Sequence, residues 1–167
     1  MAPTKTLALF NSLAALHKTL PLDQISISQL TTHAQVSRMY FYRNFTTYQD
    51  IIDCRIQELL AQFLRITKKR PDRSIAATTA LFFENLQADA PALSVFLNNG
   101  EGDHVQAVFE RGLTELINQG IVNGSTDPYW RAFIAGGFSR IITVWLRSDS
   151  SLTPAEMGLK VAQIVVP

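Results

Sequence analysis

The sequence predicts an all-α fold. Strand signals are scarce, apolar residues recur at three- and four-residue spacing, and Pro or Gly falls between the periodic stretches. At 167 residues and 47% hydrophobic, the chain can bury a sizeable core, and eight or nine helices fit. Residues 4 to 20 read as the opening helix, with Leu9, Leu13, Leu16 and Leu20 on one stripe and Pro21 as its stop.

Ser26 opens a second helix. Its side chain is placed to accept a backbone N–H while Gln29 reaches back, a capping box, and Ile25 and Leu30 are spaced as a hydrophobic staple. Leu30 and Ala34 then face inward. Ala34-Gln35-Val36 leaves no room for a loop, so the chain turns sharply before Ser37, the N-cap of a helix running to Phe45. This is the spacing of a helix-turn-helix.

In that second helix of the motif Phe41 and Phe45 lie four apart and share the anchoring face. The free face carries Arg38, Met39, Tyr40, Arg43 and Asn44, with Tyr42 at its flank. These groups donate to guanine edges, bond adenine or reach phosphates, which is the chemistry of DNA reading. Thr47 caps the next helix, Asp50 sits in its first turn where the dipole favours an anion, and Ile51 and Ile52 return to the core. That helix runs to Lys68-Lys69-Arg70, ahead of Pro71. The three cations suit a helix C-terminus, with a supplementary phosphate contact as the alternative reading. The sequence thus divides into a three-helix DNA-binding unit over 1–52, its third helix continuing to about 70, and a helical bundle over 71–167, with Pro71-Asp72-Arg73-Ser74 at the boundary.

Beyond it, a helix over Ser74 to Ala88 turns Leu81, Phe82 and Leu86 inward, and a shorter one over Ala92 to Leu97 follows Pro91. The Asn98 to Gly102 stretch breaks the pattern. A longer helix from Asp103 to Asn118 carries Val105, Val108, Phe109, Leu113 and Leu116, ends at Gly120, and leads into an Asn123-Gly124-Ser125 loop. Asp127 and Pro128 start a helix to about Arg147, in which Ala132 and Gly136, like Ala135 and Ser139, sit four apart. Two Gly inside a helix cost about 1 kcal/mol each relative to Ala, so a close helix contact is expected there. Thr153, Pro154 and Glu156 start the last helix, whose stripe is Met157, Val161, Ile164 and Val165.

The run AQVSRMYFYRNFTTYQDI, residues 34–51, resembles the tetracycline-repressor (TetR) type of bacterial regulator, and the resemblance covers roughly residues 5 to 55. It implies a ligand-responsive repressor that binds a pseudo-palindromic double-stranded DNA operator as a homodimer. Arg38, Tyr40, Arg43 and Asn44 are then the base readers, with Met39 beside them. Ser37, Tyr42 and Tyr48 are placed to meet phosphates, and Ser26 through its helix start. The last two helices would form a four-helix dimer interface through Gly136, Gly137, Ile141, Trp145, Met157, Val161 and Ile164. A small apolar or aromatic effector would be lined by Phe82, Phe83, Phe96, Phe109, Trp130 and Phe133, and would change the separation of the two reader helices from the roughly 34 Å that successive major grooves require. Two positions depart from the pattern. Gln35 stands where such turns usually carry Gly, and Tyr48 where a Lys commonly touches phosphate, so that contact becomes a hydroxyl bond or is lost.

Charge agrees with this division. The first 70 residues hold nine Lys and Arg against four Asp and Glu, and the remainder six against ten, so a basic N-terminal part adjoins an acidic C-terminal part within a net charge of +1. No metal, nucleophile or phosphate-loop spacing is found, so no catalytic residue, metal or cofactor is expected. His17, His33 and His104 are scattered, Gly100-Glu101-Gly102 lacks the further Gly of a nucleotide loop, and the single Cys54 reads as a small core residue. Lys5 is followed by an amphipathic pattern instead of a secretory signal, and Ala132 to Leu146, interrupted by Arg140, falls short of the roughly 20 residues that span a bilayer. A cytoplasmic protein without a membrane span is expected. The competing reading is a helix-turn-helix-fold protein–protein interaction module that reads no DNA.

Overall fold

Most helices of the computed structural model, which describes residues 4–72, 74–121, 125–148 and 152–165, start on a cap residue that the sequence offers. The side chains of Thr4, Ser26, Ser37, Thr47, Ser74 and Asp127 each accept a backbone N–H from the first turn that follows. The helices are α1 (Lys5–His17), α2 (Ile27–His33), α3 (Arg38–Asn44), α4 (Tyr48–Thr67), α5 (Ile75–Leu86), α6 (Ala90–Asn98), α7 (Gly102–Asn118), α8 (Pro128–Arg147) and α9 (Pro154–Val165). No strand occurs among the described residues. Arg73 at the expected boundary and the Asn123-Gly124 part of the expected loop lie outside them.

Several boundaries differ from expectation, among them the end of α5, which stops at Leu86 and not at Ala88. The opening helix ends at His17, not at residue 20, and a single 3₁₀ turn, Leu22–Gln24, follows. Leu20 precedes Pro21, whose ring disfavours helical backbone at the residue before it, and the His17 ring closes the end by donating from Nδ1 to the Leu20 carbonyl at 2.9 Å. In the other direction, α6 begins two residues early, at Ala90. Pro91 sits at its second position, where a backbone N–H would lack a helical partner in any case.

The core is continuous from end to end. Leu9, Phe10 and Leu13 of α1 meet Leu30, Phe41, Ile51, Ile52 and Ile56 in the N-terminal unit, and the Phe10 ring lies 5.5 Å from that of Phe96 in α6. α4 packs on both α5 and α7, α8 lies against α7 and α6, and α9 runs along α5. Close backbone approach occurs at a glycine the sequence pattern did not single out. A Cβ on Gly158 would lie 2.4 Å from the Ala76 carbonyl oxygen and 3.0 Å from the Ala80 Cβ, so only Gly lets α9 settle on α5.

The turn between α2 and α3 is built at Gln35, which has a φ of 54°. The Val36 N–H donates to the Thr31 carbonyl at 2.9 Å and the Gln35 N–H to the Thr32 carbonyl at 3.1 Å, the paired bonds that close a helix through a left-handed residue. Glycine adopts this backbone without a Cβ penalty. Gln35→Gly is therefore expected to stabilise the protein by up to about 1 kcal/mol, and β-branched Gln35→Val to destabilise it. Thermal melts of both variants check the sign.

Candidate functional site

Ser37 starts α3 by accepting the Tyr40 N–H at 3.2 Å. Phe41 and Phe45, 1% and 6% exposed with ring centroids 6.0 Å apart, pin one side of the helix to the core. The opposite side offers Arg38, Met39, Tyr42, Arg43 and Asn44 to solvent, and α3 contains no acidic residue. Met39 and Tyr42 are 59% and 64% exposed. The thioether and the aromatic ring lie one helical turn apart on this basic helix and are open to a partner. The Asn44 amide folds back in the free protein, donating to the Tyr40 carbonyl at 2.7 Å.

Tyr40 does not belong to the free face. Its hydroxyl is 3.4 Å from Thr6 Oγ1, its ring packs edge-on to Phe45, and the Lys5 ammonium sits over that ring at 5.1 Å. Each residue turns the helix by about 100°, which places position 40 on the flank toward α1, and half-burying the ring there removes apolar surface from water. The same contact brings Lys5 alongside the reader helix. Sequence reasoning missed it because the two residues are 35 apart.

Tyr48 also departs from its expected role. Its hydroxyl donates to the Ile25 carbonyl and its ring meets Phe41 edge-on at 6.1 Å, so the proton expected to serve a phosphate is used inside the protein. Burial pushes the hydroxyl pKa up, which keeps it a donor. Tyr48 thus braces α2 and α3 on the start of α4. Ser26 is exposed, but its hydroxyl accepts the Gln29 N–H and donates to Gln29 Oε1, each at 3.1 Å, and so closes the capping box. Asp50 does the same for α4 by accepting the Thr46 and Thr47 N–H groups at 2.7 Å, and these bonds hold its carboxyl below the usual range. His33 is tied to Ser12 through Nδ1 at 2.9 Å. Lys68, Lys69 and Arg70 are exposed at the end of α4.

The first half of α4 is fastened to the rest of the protein by polar bonds that no local pattern announces. Gln49 Nε2 donates to Glu101 at 3.3 Å, and Asp53 faces His104 at 2.5 Å and Arg111 at 3.6 Å. Arg55 grips both oxygens of Asp89, at 2.7 and 2.8 Å, and reaches Glu58 at 3.0 Å. Asp89 is 2% exposed, and its carboxylate, more than the nearby Glu58, raises the Arg55 pKa and keeps the guanidinium charged.

Behind α4 lies a half-open apolar cavity of about 120 Å³, lined by residues of α4, α5, α7, α8 and α9. Of the expected lining, Phe82, Trp130 and Phe133 are in its wall, joined by Phe63 and Phe138. Phe83, Phe96 and Phe109 are not. Each is fully buried elsewhere: Phe83 against Trp145 with centroids 4.9 Å apart, Phe96 between Phe10 and His17, and Phe109 packed behind Phe82 at 6.5 Å. Helical spacing could not tell a cavity wall from the core beside it.

The expected dimer face is corrected in the same way. Trp145 donates from Nε1 to the Leu152 carbonyl at 2.8 Å and is 2% exposed, while Met157 and Val161 are each 4% exposed on the side of α9 that lies on α5. They serve the chain's own core, because α9 needs an apolar stripe to hold it to α5. Gly137, Ile141, Val161 and Ile164 also line the cavity. What stays open on α8 is a stripe of Tyr129, Phe133, Gly137 and Val144, with Ile164 of α9. Ala135 and Ser139 are buried, but Gly136 and Gly137 make no close contact within the chain: a Cβ on Gly137 would meet nothing within 4 Å.

Solved structures share this arrangement over nearly the whole chain. The TetR family repressor AlkX from Dietzia sp. strain DQ12-45-1b, implicated in biodegradation of n-alkanes, superposes with a TM-score of 0.58 at 13% identity, over 96% of this chain and 92% of that one. The chain has the TetR-regulator fold. The transcriptional regulator FadR from Bacillus subtilis, solved with stearoyl-CoA, gives 0.58 at 16% identity, over 95% and 96% of the two chains. The dihydroxyacetone kinase operon activator DhaS gives 0.57 at 14% identity, over 98% and 94%. No family model and no curated protein sequence matches the chain. The three neighbours are named as a repressor, a transcriptional regulator and an operon activator. Among the described residues no helix is long and apolar enough to cross a membrane, and no group of His, Cys, Asp and Glu could hold a metal ion.

Proposed function

We propose that the chain is a DNA-binding transcriptional regulator, a ligand-responsive repressor that acts as a homodimer on a pseudo-palindromic operator in the cytoplasm. The observation that carries the reading is α3: pinned by Phe41 and Phe45, acid-free, and presenting Arg38 and Arg43 with the exposed Met39 and Tyr42. Arg38, Arg43 and Asn44 are the base readers. Ser37, Tyr42 and Lys5 serve the phosphate backbone, and Ser26 orders the helix start beside it. Residues 1–52 form the reading unit, with α4 continuing to about residue 70, and residues 71–167 form the effector-binding and dimerisation unit.

The open stripe on α8 and α9 supports dimerisation. The exposed large apolar side chains of the described residues fall in two places, Met39 and Tyr42 on α3, and Tyr129, Phe133, Val144, Leu159 and Ile164 on α8 and α9. Two helical glycines without a packing reason inside the chain find one against a second copy. Coupling follows from the packing. A small apolar effector in the cavity presses on Phe63 of α4, and α4 carries α3 through the edge-on contact of the Tyr48 and Phe41 rings.

The test is binding to duplexes selected by the purified protein. Wild-type protein is expected to be retained on a DNA column at low salt and released as salt rises. Elution in the void would instead favour the interaction module. Arg43→Ala should weaken the selected operator by roughly 5- to 150-fold, the range of a base contact worth about 1–3 kcal/mol, while affecting random DNA less. Equal weakening of both would move Arg43 to the phosphate contacts.

A further inference from the structure

We propose that the effector cavity is completed by a second copy of this chain: Phe133 of each subunit seats in the apolar groove between α8 and α9 of the other, and this contact roofs the cavity mouth. The proposal rests on the reading of the cavity as the effector site and of α8 and α9 as the dimer face, and it links the two. The cavity is half-open, and its wall includes three exposed residues, Phe133, Gly137 and Ile164. Phe133 is 71% exposed and Ile164 57%. The residues that leave the cavity open are thus the ones a dimer on this face would cover. In a lone subunit a bound apolar ligand keeps one side in water, whereas in the dimer that side meets apolar surface.

The face is complementary to itself. Along α8, Phe133 stands four residues before Gly137 and Ile141 four after it, about 6 Å along the axis in either direction. A two-fold axis through α8 at Gly137 runs the two copies antiparallel, and so lays Phe133 of each over Ile141 of the other, the reciprocal contact that an isologous interface requires. Gly137 lets the helices come close at the crossing, since it carries no side chain and nothing in its own chain lies within 4 Å of a Cβ there. At Ile141 a groove of about 210 Å³ opens, lined by Ile141, Val144, Trp145, Met157 and Val161 with the exposed Arg140 and Lys160 beside them. Ile141, Val161 and Ile164 belong to both groove and cavity, so a ring seated in the groove stands next to the ligand. Charge does not oppose the contact. The three arginines of α8 are drawn off toward α6 and α7: Arg131 donates to Asn118 at 2.9 Å, Arg140 to Gln106 at 3.4 Å and Arg147 to the Leu97 carbonyl at 3.2 Å.

Val144→Glu tests this in the full chain, because residue 144 lines the groove and is not part of the cavity wall. The variant is expected to stay folded, to sediment as a monomer, and to bind toluene, measured by calorimetry, about fivefold or more weakly than the wild-type dimer. Linkage is reciprocal, so toluene-saturated buffer should lower the concentration at which the wild-type dimer dissociates by at least a comparable factor, a measurement that needs no variant. Toluene binding as tight in the variant monomer as in the wild type, no toluene binding to either, a variant that remains dimeric, or wild-type dissociation unmoved by toluene overturns the proposal. Two of these outcomes separate it from the reading beneath it. A wild-type dimer and a variant monomer with equal toluene affinity would sink the shared site and leave the dimer standing, whereas a wild-type chain that is monomeric at micromolar concentration would sink both.

Discussion

Asp89→Ala is expected to destabilise the protein by about 3–5 kcal/mol, the usual cost of removing one partner from a buried ion pair. Asp89 is 2% exposed and both its oxygens hold Arg55, whose side chain is 13% exposed. Without the carboxylate, the guanidinium keeps only Glu58, which is 36% exposed and takes a single nitrogen at 3.0 Å. Most of the loss therefore comes from a charge left in a poorly hydrated place. Asp89→Asn, which keeps an acceptor, should cost less. A double replacement, Arg55→Met with Asp89→Leu, should recover much of the loss, since apolar packing substitutes well for such pairs. Urea denaturation of the three variants reads the order, and a loss below about 1 kcal/mol for Asp89→Ala would show the pair to be solvated. The bond joins α4 to the turn before α6, so the double variant should also loosen the coupling between cavity and reader helix even where stability is restored.

Gly137→Glu is expected to leave each subunit folded, to convert the proposed dimer to a monomer, and to lower affinity for the proposed operator by roughly a hundredfold or more through loss of bivalent binding. A Cβ at Gly137 meets nothing within 4 Å, and replacing a helical Gly adds up to about 1 kcal/mol of intrinsic helix stability. The same addition at a second copy would place a carboxylate in an apolar contact. Gly158→Ala is the contrast: its Cβ would lie 2.4 Å from the Ala76 carbonyl, so it should destabilise the subunit itself by about 1–3 kcal/mol. Sedimentation and thermal melts separate the two outcomes. A Gly137→Glu protein that remains dimeric at micromolar concentration would remove α8 from the interface.

The sequence by itself determined the helices and most of their starts, because the signals involved are local. A capping box spans four residues and the Phe41–Phe45 anchor five, and both are present as the spacing implies. That the chain turns sharply at Gln35 was legible for the same reason, but its positive φ was not, because Gln is a residue that rarely adopts it. Tertiary structure alone decided what each side of those helices meets. Tyr40 shares a short helix with the reading residues, yet the neighbouring Thr6 and Lys5 of α1 draw it off the free face. Phe82 and Phe83 are adjacent in sequence, but one lines the cavity and the other is core. Periodicity specifies that a face is buried without specifying the partner, so Met157 and Val161 read equally well as an interface between copies or as the seat of α9 on α5. The Arg55–Asp89 pair depends on groups brought together from 34 residues apart, and no local pattern encodes it.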